Sequence, residues 1–531
     1  MALHKVLVSE RIADEGIALL KQHVDLDYQE KITREELLEV IGNYDALVVR
    51  SVTQVDEELV SRAPKLKVVG RAGNGVDNIN IPVCTRYGIV VVNTPDSNTV
   101  SAAEQTIALL LASIRNLPWA NSTLKGGSWD RKPFRGMELY GKTVGIVGLG
   151  RIGSMVAMRL RSFNMEVIAY DPYITDERFE RFGVRKVDKL EDIARLSDII
   201  TVHTPRNEET MHMLDEKFFA LAKDGVRVVN CARGGIIKES VLLAGIKSGK
   251  IGSAGLDVYE TEPAIGNPLF EFNNVVCTPH LGADTFEAQK RVGENIAEEV
   301  IKALAGEIVP NTVNLPSVLR EELNYLSPYM DLAEKIGSVY YQLDKPAVNR
   351  IELTYSGPIS NTETEMLTVS FLKGLLAPVM NNQVNYVNAQ LLAEERGIQL
   401  FIKKEGQSPK RYKNLIQARL FSNDDQLYLA GTLSRARFPL LVEIDEYETE
   451  SDLQGYVVMV ENEDRPRVIG PMATTLGDEN INIASMKVAR RERGTHAVMM
   501  VNVDNKVEPE ILDKLGKLDG ILQTPKLLYF G

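Results

Sequence analysis

The stretch from Thr143 to Asp171 constrains the fold more than any other part of the chain. The β-branched run TVGIV is followed by Gly148, Gly150 and Gly153, by the helical stretch RIGSMVAMRL, and by a second apolar run that ends in Asp171, 18 residues after the last glycine. A strand that feeds a helix through three such glycines reads as a βαβ unit built for a dinucleotide. Gly148 allows the tight turn, Gly150 lets backbone amides approach a pyrophosphate, and Gly153 lets the helix pack on the strand. The N-terminus of that helix favours the anion. Asp171 reads as the acceptor for the adenosine ribose hydroxyls, and its charge repels a 2'-phosphate, which selects NAD over NADP.

This unit sits inside a longer α/β series: TVGIVGLG, EVIAYD, DIITVHT, RVVNC and IGSAGLDV are strands separated by helices or loops, up to Pro279. An earlier series, KVLV, DALVV, KVVG and GIVVVN, alternates with helical segments in the same way and implies a second parallel sheet. Between the two lie a helix from Asn98, where Ser101 and Glu104 have capping-box spacing, and the polar connection KGGSWDRKPFRGMELYGK. After His280, ADTFEAQKRVGENIAEEVIKAL reads as one amphipathic helix closed by Gly306, and IVPNTVNLPSV as a linker. Residues 318–452 are mixed α/β with no motif that carries chemistry. From Gly455 the order strand, helix, strand, strand, helix, strand is ferredoxin-like.

With 531 residues, the chain has room for three or four domains of about 150 residues each. A formal net charge of -12 argues against a general electrostatic grip on nucleic acid or on an anionic membrane. No run approaches the ~18 apolar residues of a membrane span, and MALHKVLVSERI lacks an apolar signal segment, so a cytoplasmic protein is expected. Cys84, Cys231 and Cys277 are too few and too scattered for a disulfide framework or a Cys-only zinc site, and no metal is expected.

Three later strands each place one polar group at or just beyond a C-terminal end, where open α/β sheets bind ligands. Arg233 follows RVVNCA, Glu262 follows GLDVYET, and His280 follows NVVCTP. Taken singly these are ordinary loop residues. Together they supply a general base, a carboxylate to orient it, and a cation for anionic oxygens, which is what hydride transfer at a hydroxy acid needs.

At VGLGRIG, NCARGG, LDVYETEP and TPHLGA the chain resembles the D-2-hydroxyacid dehydrogenase family over residues 1–316. The resemblance implies that His280 takes the hydroxyl proton, Glu262 pairs with His280, and Arg233 binds the substrate carboxylate and carbonyl oxygen. It implies a Rossmann NAD-binding domain over 98–284, whose cofactor contacts include Arg151, Ile152, Thr204, Cys231, Asp257 and Asn74 beside the glycines and Asp171. It also implies a substrate-binding domain over 1–97 and 285–316, with catalysis in the cleft between the two. Arg50, Ser51, Arg71, Gly75, Asn98 and Arg131 stand in segments similar to those of members that oxidise 3-phosphoglycerate to 3-phosphohydroxypyruvate at the start of serine biosynthesis. Arginines there would suit a substrate with both carboxylate and phosphate.

Residues 317–453 resemble the intervening domain of long-form members, and 454–531 an ACT regulatory domain. That implies a homodimer or homotetramer, and L-serine as a possible effector at Asn462, Asp464 and Asn482. The chain departs from the family pattern at Asn74, at Asp284 and at Arg467, where a glycine is usual. The alternatives are a glyoxylate or hydroxypyruvate reductase, which would need neither a phosphate pocket nor an ACT tail, and a non-enzymatic NAD-sensing corepressor, which would be expected to carry disordered tails.

Overall fold

The computed structural model describes residues 3–316, 320–380, 384–423, 425–491 and 495–531. The end of the expected linker, at residues 317–318, lies outside the described residues. By compactness the chain divides into two units: residues 1–54, 70–78 and 92–306, and residues 55–69, 79–91 and 307–531.

The first sheet contains β1 (Lys5–Val8), β2 (Asp25–Tyr28), β3 (Ala46–Val49), β4 (Val68–Arg71) and β5 (Val90–Asn93), in the order β2-β1-β3-β4-β5. β1 runs parallel to β2 and to β3. The four residues of β3, ALVV, are all buried, as expected for an inner parallel strand covered on both faces.

The second sheet contains β6 (Thr143–Val147), β7 (Glu166–Tyr170), β8 (Arg185–Lys186), β9 (Ile199–Val202), β10 (Val226–Asn230), β11 (Ile251–Leu256) and β12 (Val275–Cys277). Their order is β12-β11-β10-β9-β6-β7-β8, and the pairings are parallel. The strand order reverses between β6 and β9, which opens a crevice beyond their C-terminal ends. β8 is two exposed basic residues and leaves no apolar run for a sequence reading to find.

Two local expectations need correction. The helix Thr99–Ile114 starts ahead of Ser101, its N-cap is Asn98, and no side chain caps it; the Ser101 hydroxyl is buried without a partner. A capping box needs its Ser or Thr at the extended residue before the helix. Thr33 meets that requirement: its hydroxyl accepts from Glu36 N while its own N–H donates to the Glu36 carboxylate. The long helix after His280 runs Phe286–Leu304 rather than from Ala283, because Thr285 caps it by accepting from Ala288 N at 3.2 Å.

The third sheet contains β13 (Arg350–Ser356), β14 (Gln399–Glu405), β15 (Leu415–Phe421), β16 (Gln426–Leu433), β17 (Pro439–Ile444) and β18 (Tyr447–Asp452), in the order β14-β13-β15-β16-β17-β18. The fourth contains β19 (Gly455–Glu463), β20 (Ile483–Arg490), β21 (His496–Val503) and β22 (Lys526–Phe530), in the order β20-β21-β19-β22. With the helices Ile469–Asp478 and Pro509–Gly516 this is the ferredoxin-like arrangement. β19 is buried on both faces. Val458 and Val460 join Met472, Leu476 and Leu515 under the helices, while Val457 and Met459 join the core of the third sheet with Leu353 and Leu429. That shared core makes the two sheets one packed body.

The helices Arg320–Gln342 and Glu365–Leu376 cross where each presents a glycine. A Cβ on Gly374 would stand 1.9 Å from the Glu334 carbonyl oxygen, and one on Gly337 would stand 2.2 Å from that of Phe371. Backbone cannot yield as a flexible side-chain end can. Gly374→Ala should therefore destabilise the second unit by about 1–3 kcal/mol, the usual cost of overpacking. Denaturant unfolding should show the C-terminal transition at lower midpoint with NADH affinity unchanged; an unshifted transition would mean that the helices separate freely.

Candidate active site

The crevice between β6 and β9 is shaped by backbone. Gly148 has φ 92°, and a Cβ there would lie 2.8 Å from the carbonyl oxygen of His203, the residue after β9. A Cβ on Gly153 would lie 2.1 Å from the Gly148 carbonyl oxygen. Gly150 precedes the helix Arg151–Arg161 and faces open space, so its amide end of the helix is free to meet an anion. Asp171, just past β7, accepts from Leu149 N at 2.8 Å and from Tyr173 N at 3.1 Å, which fixes its carboxylate beside the glycine loop.

A cleft of about 380 Å³ opens at these strand ends. Among the residues expected from sequence, Asn74, Gly75, Asn98, Arg151, Ile152, Thr204, Cys231, Arg233, Asp257 and His280 line it. The Thr204 hydroxyl and the Asn98 amide oxygen are buried without a partner. Buried polar atoms of this kind are costly unless a ligand or water completes them. They suit a dinucleotide with many donors and acceptors.

His280 takes a left-handed backbone conformation, φ 56°, and its ring Nδ1 lies 2.7 Å from Glu262 Oε2. A carboxylate can only accept, so Nδ1 carries the proton and Nε2 is left as the basic nitrogen. The other Glu262 oxygen accepts from Tyr259 N at 3.0 Å. Burial pushes the Glu262 carboxyl up, but its bonds to His280 and Tyr259 and the Arg233 charge outweigh that and hold it below its ordinary value. Glu262 is therefore a fixed anion behind the imidazole.

Asp257 sets the loop that carries His280. Its side chain is fully buried and accepts from the Thr278 hydroxyl at 2.5 Å, Leu281 N at 2.8 Å and Gly282 N at 2.7 Å, while its carbonyl accepts from His280 N at 2.9 Å.

Arginines gather at one end of the cleft. Arg233 Nε donates to Asp77 Oδ2 at 3.1 Å and its Nη1 to the Ala232 carbonyl at 2.7 Å. Its remaining nitrogen lies where a Cβ on residue 75 would be, 1.9 Å away, so Gly75 is the space the guanidinium occupies. Burial lowers the Arg71 guanidinium to about 10, and the positive charges of Arg233 and Arg50 push it the same way. Its Nε is buried without a partner. Arg233 lines the cleft while Arg50 and Arg71 do not, and guanidinium groups that repel one another favour an anion near them.

Arg131 is exposed and Ser51 is exposed; neither lines the cleft. Three ionisable residues passed over in sequence line it: Asp77, His203 and Arg206. Burial pushes the His203 imidazole down to about 3, so it is neutral, with Nε2 3.0 Å from the Thr201 hydroxyl and Nδ1 buried without a partner. Its position after a strand end was the available signal, shared with Thr204.

In the C-terminal sheet, Asn462 is buried with an unpartnered side-chain oxygen, Asp464 pairs with Arg490 at 3.6 Å, and Asn482 donates to Asp504 at 2.7 Å. Arg467 has φ 70°, a left-handed conformation that glycine adopts without strain.

Comparison with known proteins agrees with this geometry. Residues 107–282 match the family of D-isomer specific 2-hydroxyacid dehydrogenase NAD-binding domains, 325–445 match the D-3-phosphoglycerate dehydrogenase intervening domain, and 456–520 match the ACT domain. D-3-phosphoglycerate dehydrogenase of Methanocaldococcus jannaschii is 43% identical over 517 residues, 97% of this chain and 98% of its own length. That of Bacillus subtilis is 39% identical over 524 residues, 98% of this chain and 99% of its own. Among solved structures, D-lactate dehydrogenase of Aquifex aeolicus, complexed with NAD and lactic acid, superposes with a TM-score of 0.52 at 28% identity, over 59% of this chain and all of that one. A crevice with a dinucleotide fingerprint and a fixed His–Glu pair thus coincides with near full-length likeness: the chain is an NAD-binding member of the D-3-phosphoglycerate dehydrogenase family.

Proposed function

We propose that the chain oxidises D-3-phosphoglycerate to 3-phosphohydroxypyruvate with NAD, the opening step of serine biosynthesis. The observation that carries this reading is the His280–Glu262 pair at 2.7 Å beside a cleft edged with arginines. His280 Nε2 takes the proton of the substrate hydroxyl as the carbonyl forms. Glu262 holds the ring by Nδ1 and offsets the charge that the imidazolium gains. Arg233 binds the carboxylate and the developing carbonyl oxygen, and Arg50 and Arg71 bind the phosphate. NAD, when bound, accepts the hydride from the carbon that carries the hydroxyl. Gly148, Gly150 and Gly153 with Arg151 and Ile152 would hold its pyrophosphate, Asp171 its adenosine ribose, and Asn74, Thr204, Cys231 and Asp257 its remaining polar edges.

In this reading residues 1–97 with 285–316 form the substrate-binding domain, 98–284 the NAD-binding domain, 317–453 the intervening domain and 454–531 the ACT domain. The protein works in the cytoplasm; among the described residues no helix is long and apolar enough to cross a membrane, and the three cysteines are free thiols. A homodimer or homotetramer is supported by the helix Leu117–Lys125, which buries none of its residues, and by the exposed Leu117, Leu124 and Trp129 beside it. The effector is L-serine, bound by Asn462, Asp464 and Asn482.

An initial-rate assay of NADH formation tests the activity. The chain should turn over 3-phosphoglycerate with kcat/KM at least about tenfold above that for unphosphorylated glycerate, the worth of one charge-assisted contact. Equal rates on both would replace this reading by a general 2-hydroxyacid dehydrogenase.

Glu262→Gln should lower kcat by about 100-fold while leaving NADH affinity unchanged, since positioned acid–base groups contribute roughly that much. The variant also reports on stability. A carboxyl held below its unfolded value stabilises the fold above that value, and the contribution is lost as pH falls through the depressed one. The stability gap between parent and variant should therefore be present at neutral pH and close in acid; a gap independent of pH would mean the carboxylate is not what matters.

Arg467→Gly should increase inhibition by serine. The substitution relieves a left-handed arginine and clears the backbone at the effector loop. The half-inhibitory serine concentration should fall about tenfold, equivalent to about 1.4 kcal/mol. Identical titrations would show that Arg467 does not stand in the effector's way, and no inhibition of either form would remove serine from this site.

A further inference from the structure

Arg206 lies in the loop after β9, outside every motif that pointed to the site, yet it lines the cleft. The loop is fixed by its own hydrogen bonds: Asn207 N donates to the Thr210 hydroxyl at 2.9 Å, Thr210 N returns to Asn207 Oδ1 at 2.9 Å, and that hydroxyl donates to the Pro205 carbonyl at 2.7 Å. Arg206 thus springs from a rigid rim.

Its guanidinium Nη2 stands 3.9 Å from Asp77 Oδ1, while Asp77 Oδ2 accepts from Arg233 Nε at 3.1 Å. One carboxylate therefore holds two guanidinium groups, one on each oxygen. The Arg233 contact is a hydrogen bond, but 3.9 Å is too long for one, so among the described residues Arg206 spends no donor on Asp77. The Arg206 side chain is 35% exposed, enough to swing to a ligand. Asp77 and Glu10 offset Arg71, Asp77 also faces Arg206 and Arg233, Glu262 feels the Arg233 charge, and the Glu10 carboxylate accepts from Arg50 N, Val52 N and Thr53 N. The four guanidinium groups outnumber these three carboxylates, so the place favours an anion.

We infer that Arg206 is a specificity-determining residue: a guanidinium recruited through Asp77 that binds the phosphate of the substrate and so favours a phosphorylated 2-hydroxy acid over an unphosphorylated one. The inference rests on the activity proposed above. Arg233, next to the His280 end, takes the carboxylate; Arg206, on the opposite oxygen of Asp77, exchanges its loose ion pair for the phosphate. A role at the cofactor pyrophosphate is disfavoured by its partner. Arg151, whose Nε pairs with Asp96 at 2.7 Å, and Arg178, whose Nε donates to the Leu149 carbonyl at 3.2 Å, are cations at the glycine loop, whereas Arg206 is drawn toward the segment that carries Asn74, Gly75 and Asp77.

The test is kinetic and uses the full chain with Arg206→Ala and Arg206→Lys. KM for 3-phosphoglycerate should rise about tenfold in the alanine variant, the usual loss for one contact between charged groups, and recover in the lysine variant. kcat and NADH affinity, the latter from fluorescence titration, should stay within twofold of the parent. kcat/KM for reduction of hydroxypyruvate, which lacks the phosphate, should also stay within twofold. An unchanged KM, an equal loss on hydroxypyruvate and 3-phosphohydroxypyruvate, or a parallel weakening of NADH would each overturn the assignment. Failure of the parent itself to oxidise 3-phosphoglycerate would overturn the proposed activity, and the inference with it.

Discussion

The buried carboxylate of Asp257 is the constraint on which the site geometry depends. Among the described residues no cation pairs with it, and it is stabilised by three donors from a single stretch of chain: the Thr278 hydroxyl and the amides of Leu281 and Gly282. A charge that far from water is tolerated only when its lone pairs are met, so the loop has one conformation open to it. That conformation carries His280 in a left-handed backbone state, which an L-residue keeps only where its surroundings over-determine it. The imidazole then meets Glu262 at 2.7 Å. The proposed acid–base pair is thus anchored by a carboxylate one layer below it.

Much of this was legible in sequence because backbone geometry demanded particular residues. Gly148 and Gly153 are needed where a Cβ would strike backbone, and Asp171 directly follows the strand that runs beside the glycine loop. Arg233 and His280 follow strand ends, and strand ends are where such sheets bind. Asp77, His203 and Arg206 escaped for the opposite reason. Asp77 becomes meaningful only when folding brings it to Arg233, 156 residues away, and no local pattern records that encounter. β8 left no trace because its two residues are exposed and basic. Ser101 and Glu104 had the right spacing for a cap but the wrong depth: the helix starts ahead of them, and spacing alone does not say where a helix begins.

Charge shows the same division between chain and site. A net charge of -12 says nothing of the surroundings of Arg71, where burial first, and then the charges of Arg233 and Arg50, lower its guanidinium to about 10. Such a cluster costs stability in the free protein and is relieved by an anionic ligand. The repulsion thereby becomes a source of affinity for substrates with more than one negative charge. Asp77 moderates the cost without cancelling it, since one carboxylate serves two guanidinium groups.

The C-terminal sheet poses a different problem, that of a strand with no free face. Along β19, Val457 and Met459 alternate with Val458 and Val460, and the two sets enter different cores. A strand in water would need only one apolar face, so the continuous run YVVMV already implies cover on both sides. Asn462 and Asp464 lie at and just beyond the end of that strand, where the packing that immobilises β19 gives way to a loop. A group bound there would act on the tip of a strand whose every shift is felt by both cores, because close-packed interiors yield by switching between arrangements rather than by gradual deformation. Position at that tip, more than the identity of any one polar side chain, is what would couple the proposed effector loop to both cores of the second unit.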